Sequence, residues 1–142
     1  MASTSVSRVL PASPQQVWDL IGGFHALPDW LPYIPESTML HGGLVRRLVT
    51  PDGGVIVERL LSFSDAERHY SYAILESPFP AIGYVATLRV YPIPGREDAA
   101  EALWSGCFTP EGVSDREVVD LFTTIYRDGL EALHDTLANR TP

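Results

Sequence analysis

Four side chains hold most of the chemistry this sequence offers: Arg46, Glu58, Tyr72 and Tyr84. A guanidinium can hold a carbonyl or an enolate, and a carboxylate can take up a proton or accept a hydroxyl hydrogen bond. Phenols add neutral donors. Whether Arg46 meets Glu58 depends on the turn at Pro51-Asp52-Gly53. A two-residue Asp-Gly loop would require Pro51 to donate a backbone hydrogen bond, and proline has no N–H. A three-residue loop avoids this, with Pro51 and Asp52 in a type I turn and Gly53 left-handed. That register sets Thr50 opposite Gly54, Leu48 opposite Ile56, Arg46 opposite Glu58 and Leu44 opposite Leu60. Directly opposed residues are close enough for an ion pair.

Alternation alone leaves the direction of that pair open. Leu44, Leu48, Ile56 and Leu60 share its face. Val45, Val49, Val55, Val57, Leu61 and Phe63 make the other face at least as apolar. On the surface the pair would contribute roughly 0–1 kcal/mol. Buried, it costs several kcal/mol of desolvation per ion, so it would serve a site or be a fully hydrogen-bonded internal pair that fixes strand register.

The remaining reactive residues form no pattern. His25, His41, His69 and His134 lack the spacing of a helical zinc motif, and Cys107 is the only cysteine. No metal site is expected. There is no phosphate loop and no dinucleotide fingerprint, so no cofactor is indicated either.

A chain of 142 residues suits a single domain spanning 1–142 with a substantial core. Its net charge of −8 argues against nucleic acid and against an anionic membrane surface, because both need clustered positive charge. No apolar run approaches a bilayer-spanning length. The start, Met-Ala-Ser-Thr-Ser, has neither the basic region nor the apolar block of a signal peptide. With one cysteine and no internal disulfide, a cytoplasmic location is expected. The partner expected is a small neutral or apolar molecule.

These residues must be positioned by elements legible in the pattern. Apolar residues at Val118, Leu121, Phe122, Ile125, Tyr126, Leu130, Leu133 and Leu137 form the stripe of a long helix that begins at a Ser114–Glu117 capping box. Gly129 interrupts the stripe, where glycine costs about 1 kcal/mol relative to alanine. It leaves room either for a ligand or for close packing. Ser13-Pro14-Gln15-Gln16 starts a short helix, and Leu27 to Tyr33 allows one more helical turn between prolines. Strands are expected at Ser5–Leu10 and near 35–41, 44–50, 54–63, 69–77, 84–93 and 99–109. Short connections make neighbours antiparallel. The fold class is therefore α+β: a curved antiparallel sheet of about seven strands wrapped around one long C-terminal helix.

In this order the elements resemble the helix-grip arrangement of the START superfamily, which includes the birch-pollen-allergen-like proteins. The chain is most similar to its bacterial polyketide cyclase/dehydrase and lipid-transport-like branch. Ala12-Ser13-Pro14 with Val17-Trp18, Trp30-Leu31-Pro32, Val45-Arg46, Asp52-Gly53, Val57-Glu58-Arg59-Leu60 and Trp104-Ser105-Gly106 with Phe108 carry the likeness. The resemblance implies that Arg46 and Glu58 face a ligand cavity, with Tyr84 and Ala86 inward. It sets Leu103 where related hormone receptors carry a second cavity acid. The alternative, with Trp104 and Phe108 inward and Leu103 and Cys107 outward, stays open.

The expected site thus comprises Trp30, Arg46, Glu58, Tyr72, Tyr84, Leu103, Phe122, Ile125 and Gly129, with the Ser77–Ala81 loop as a candidate lid. Two functions fit it. One is binding of a small, mostly apolar or carbonyl-containing ligand between helix and sheet, by a monomer or homodimer. The other is a cofactor-independent cyclase or dehydratase, with Glu58, Arg46 and Tyr72 as the reacting groups.

Overall fold

The computed structural model describes residues 1–140. Seven strands form one antiparallel sheet: β1 (Ala2–Leu10), β2 (Glu36–Leu40), β3 (Val45–Val49), β4 (Val55–Ser64), β5 (His69–Glu76), β6 (Ala81–Ile93) and β7 (Arg96–Pro110). Their spatial order is β1-β7-β6-β5-β4-β3-β2. Between β1 and β2 lie helix α1 (Pro14–Ile21) and a 3-10 turn at Leu27–Asp29, and the chain ends in α2 (Asp115–Arg140). This is the expected α+β arrangement. No helix among the described residues is long and apolar enough to cross a membrane.

Local sequence explains the element ends. At α1 the Ser13 hydroxyl accepts from the Gln16 N–H at 3.2 Å while the Gln16 side chain accepts from the Ser13 N–H at 2.9 Å. That reciprocal cap satisfies two donors the first turn would leave unpaired. At α2 the Ser114 hydroxyl accepts from the Glu117 N–H at 3.2 Å.

The β3–β4 hairpin takes the expected register. Arg46 pairs with Glu58 and Leu48 with Ile56. The Thr50 N–H donates to the Gly54 carbonyl and the Gly53 N–H to the Thr50 carbonyl, both at 2.9 Å. Gly53 has a φ of 87°, the left-handed conformation that the three-residue loop requires.

Three boundaries differ from the sequence reading. β1 begins at Ala2 rather than Ser5, because β7 supplies partners for Ala2, Ser3 and Thr4, of which only Thr4 has strand propensity of its own. β6 begins at Ala81, with a register shift near Gly83. Its connection to β7 shrinks to Pro94-Gly95, since Ile93 pairs with Arg96 and β7 begins there rather than near residue 99.

Helix α2 lies across β1 and β7. It buries Val118, Phe122, Tyr126, Leu130, Leu133 and Leu137 of the stripe, with Gly129 among them. Inward residues of the sheet share one core with it: Tyr70 and Tyr72 on β5, Tyr84, Ala86, Leu88 and Val90 on β6, and Ala102, Trp104 and Phe108 on β7. The question of faces is thereby decided. Arg46 and Glu58 are 1% and 6% exposed, whereas Leu61 and Phe63 on the other face are 52% and 46% exposed. Leu44 was expected on the inner face and is largely exposed, because it sits at the His41–Gly43 turn before β3 begins.

Candidate functional site

Between α2 and the sheet lies a cavity of about 550 Å³. Its inner wall comes from Arg46 and Leu48 on β3, Ile56 and Glu58 on β4, Tyr72 and Ile74 on β5, Tyr84 on β6 and Trp104 on β7. Phe122, Ile125 and Tyr126 of α2 close the opposite side, and Leu27, Leu31, Tyr33 and Ile34 close one end. The exposed lining residues, Pro51, Asp52 and Pro78, belong to the β3–β4 turn and the β5–β6 loop, so the mouth opens between those two connections. Phe79 lines it too, packed edge-on against Phe122 with ring centroids 5.3 Å apart.

The polar groups form one seam across this apolar space. Arg46 Nε donates to Glu58 Oε1 at 2.8 Å, and Nη2 lies 2.7 Å from the same oxygen. Nη1 donates to the Phe24 carbonyl at 2.7 Å and to the Tyr70 hydroxyl at 3.4 Å. The guanidinium also stacks over the Phe24 ring at 4.1 Å and the Tyr72 ring at 4.9 Å. Burial works against the charge on Arg46, but Tyr70, Glu58 and Tyr72 outweigh it and push its pKa up. Burial also raises the pKa of Glu58, with Arg46 pulling the other way. Among the described residues nothing hydrogen-bonds to Glu58 Oε2.

Beyond Tyr72 the seam continues through hydroxyls. Trp104 Nε1 donates to the Tyr72 oxygen at 3.1 Å, the Tyr72 and Tyr84 hydroxyls are 3.4 Å apart, and Tyr84 is hydrogen-bonded to Tyr126. Burial raises the pKa of all three phenols, so they are neutral at physiological pH. Trp104 and three tyrosines bring four N–H or O–H groups, and three links use three of them. One phenol hydrogen is left over, whichever way the chain runs.

Six of the nine expected residues line the cavity: Arg46, Glu58, Tyr72, Tyr84, Phe122 and Ile125. Three do not. Leu103 is half-buried on the outer face of β7, because the inward set is Ala102, Trp104 and Phe108. Gly129 serves packing rather than a ligand: a Cβ there would lie 2.7 Å from Trp104 Cζ3 and 2.9 Å from the Tyr33 hydroxyl, which donates to the Ile125 carbonyl at 2.8 Å. Trp30 is buried in the core, with its ring centroid 5.9 Å from that of Trp104, and is not in the wall.

Sequence reasoning missed Tyr126 as a polar group and Trp104 as its neighbour. A signal was present in Gly106, since glycine inside a strand marks close approach. A Cβ at Gly106 would collide with the Tyr126 hydroxyl. Glu131, His134 and Asp135 cluster on α2 outside the cavity lining, with Glu131 already 3.3 Å from Arg8.

A curved antiparallel sheet gripping a C-terminal helix around a cavity defines a helix-grip architecture. Residues 1–138 match the polyketide cyclase/dehydrase and lipid transport family, and the chain belongs to it. Among solved structures, it is similar to the protein XoxI from Bacillus cereus, with 49% identity, coverage of 97% of this chain and 96% of that one, and a TM-score of 0.94. An uncharacterised protein from Bacillus thuringiensis is 47% identical, with 96% and 99% coverage and a TM-score of 0.94. The Zhui aromatase/cyclase from Streptomyces sp. R1128 is 14% identical over 95% and 90% of the two chains, with a TM-score of 0.74, and shares the fold. No curated protein matches the chain.

Proposed function

We propose that this protein binds a small, mostly apolar molecule carrying a carbonyl, held in the cavity between α2 and the sheet. The observation that supports this most is the seam itself. An apolar pocket with a few convergent polar groups suits a ligand of drug-like size, typically in about 300–1,000 Å³. The spare phenol hydrogen matches a carbonyl oxygen, and Glu58 Oε2 matches a ligand hydroxyl or an acidic C–H. A cyclase or dehydratase would draw on the same two groups, which is the second reading.

The test is occupancy. Protein purified from its own host and sprayed under native conditions is expected to carry a small molecule released on denaturation. Replacing the wall residue Ile74 with Trp should abolish that adduct while the protein still melts cooperatively. Adduct retained in Ile74→Trp would place the ligand elsewhere.

A further inference from the structure

We propose that the cavity catalyses α-proton transfer on a bound ketone, shifting a β,γ double bond into conjugation, with Glu58 Oε2 as base and the spare phenol hydrogen at the carbonyl oxygen. The inference rests on the carbonyl-binding reading above and adds a reaction to it.

The ion pair is arranged for this. Both Arg46 contacts converge on Oε1, so Oε2 is the carboxylate oxygen without a protein partner among the described residues. When Glu58 takes up a proton, Arg46 is not stranded. It keeps the Phe24 carbonyl, the Tyr70 hydroxyl and the faces of Phe24 and Tyr72. The negative charge that leaves the carboxylate reappears on the enolate oxygen within the same cavity, where a donor aimed at developing charge is most effective.

Base and donor also lie on one wall. Glu58 pairs with Ile74 and Leu60 with Tyr72, so Glu58 and Tyr72 are diagonal neighbours on adjacent strands, both facing inward. Diagonal positions about 7–8 Å apart are spanned by long and aromatic side chains. Tyr126 approaches the same chain of hydroxyls from α2. Burial, which keeps the phenols neutral, leaves them as donors rather than competing bases.

The step balances without a co-reactant. The Cα–H bond breaks and its proton forms O–H at Oε2. The electron pair enters a dienolate whose oxygen accepts the phenol hydrogen bond. The same proton is then delivered to the γ-carbon, and the double bond ends between Cα and Cβ. Nothing is oxidised or reduced, and Glu58 returns ionised.

Allyl phenyl ketone is a suitable probe, because its isomerisation to the conjugated propenyl ketone is followed in the ultraviolet and its binding by tryptophan quenching. The isomerisation is expected to run at least about 100-fold above the buffer rate, the scale of a positioned general base. Glu58→Gln should return it to the buffer rate with quenching retained. Glu58→Asp, which preserves the charge but withdraws the base, should lower kcat more than it changes KM, and guards against a folding defect in the first variant. Quenching without isomerisation, or undiminished turnover in Glu58→Gln, would overturn the proposal and leave the binding reading standing. Absence of both quenching and turnover would remove both.

Discussion

At the scale of single residues, the energetic fact that matters is that Arg46 and Glu58 are buried together. A pair of this kind adds little net stability, but losing one partner leaves a desolvated charge with no counter-charge. Arg46→Met should therefore lower stability by about 3–5 kcal/mol, whereas Arg46→Met combined with Glu58→Leu should recover most of the loss. Urea denaturation measures both, and a single variant as stable as the parent would contradict the geometry. Gly106 makes a second case. Gly106→Ala forces the Tyr126 hydroxyl away and is expected to cost about 1–3 kcal/mol. Adding Tyr126→Phe should relieve part of that cost, and a double-mutant cycle would show the coupling. The partnership of Arg46 with Glu58 was readable because one proline fixed the turn. The partnership of Tyr126 with Tyr84 was not, since the two are 42 positions apart and neither carries a local signal of the other.

Among the elements, the β3–β4 turn and α2 carry the site. Gly53 at a φ of 87° sets the register that brings Glu58 opposite Arg46. Gly53→Ala is expected to cost about 1–2 kcal/mol in the left-handed region, read as a lower melting temperature. In α2, Gly129→Ala sets two effects against each other. Helix propensity would gain about 1 kcal/mol. The new methyl would press on Trp104 and the Tyr33 hydroxyl, which are fixed by the sheet and by the Ile125 carbonyl. Overpacking of this kind costs about 1–3 kcal/mol, so the variant should be less stable than the parent. A rise in melting temperature would mean that the helix can move away from the sheet.

For the whole molecule, the buried tyrosines tie stability to alkaline pH. Unfolded, each phenol loses its proton near 10; folded, Tyr72, Tyr84 and Tyr126 hold theirs to higher pH. Above pH 10 the folded state therefore binds more protons than the unfolded one, and stability falls as pH rises. The contribution is complete below pH 10 and lost progressively above it, by about 1.4 kcal/mol per pH unit for each phenol that remains protonated. Denaturation midpoints at pH 8, 10 and 11 would reveal this, with a shallower slope in Tyr84→Phe. An unchanged midpoint up to pH 11 would contradict the burial of these hydroxyls.

What the sequence determined by itself was local. The Ser13 and Ser114 caps, the 3-10 turn between prolines, the three-residue loop and the stripe of α2 follow from interactions within a few residues, so periodicity and turn chemistry suffice to read them. The tertiary structure decided which face of the β3–β4 hairpin is inside, since both were apolar enough and only the side on which α2 lies breaks the tie. It decided likewise that Trp104 rather than Leu103 turns inward, that Gly129 packs instead of opening space, and that Tyr126 joins the hydroxyl chain. Each of these depends on which distant surface arrives opposite, and that is set by closure of the sheet around the helix, not by the spacing of residues along the chain.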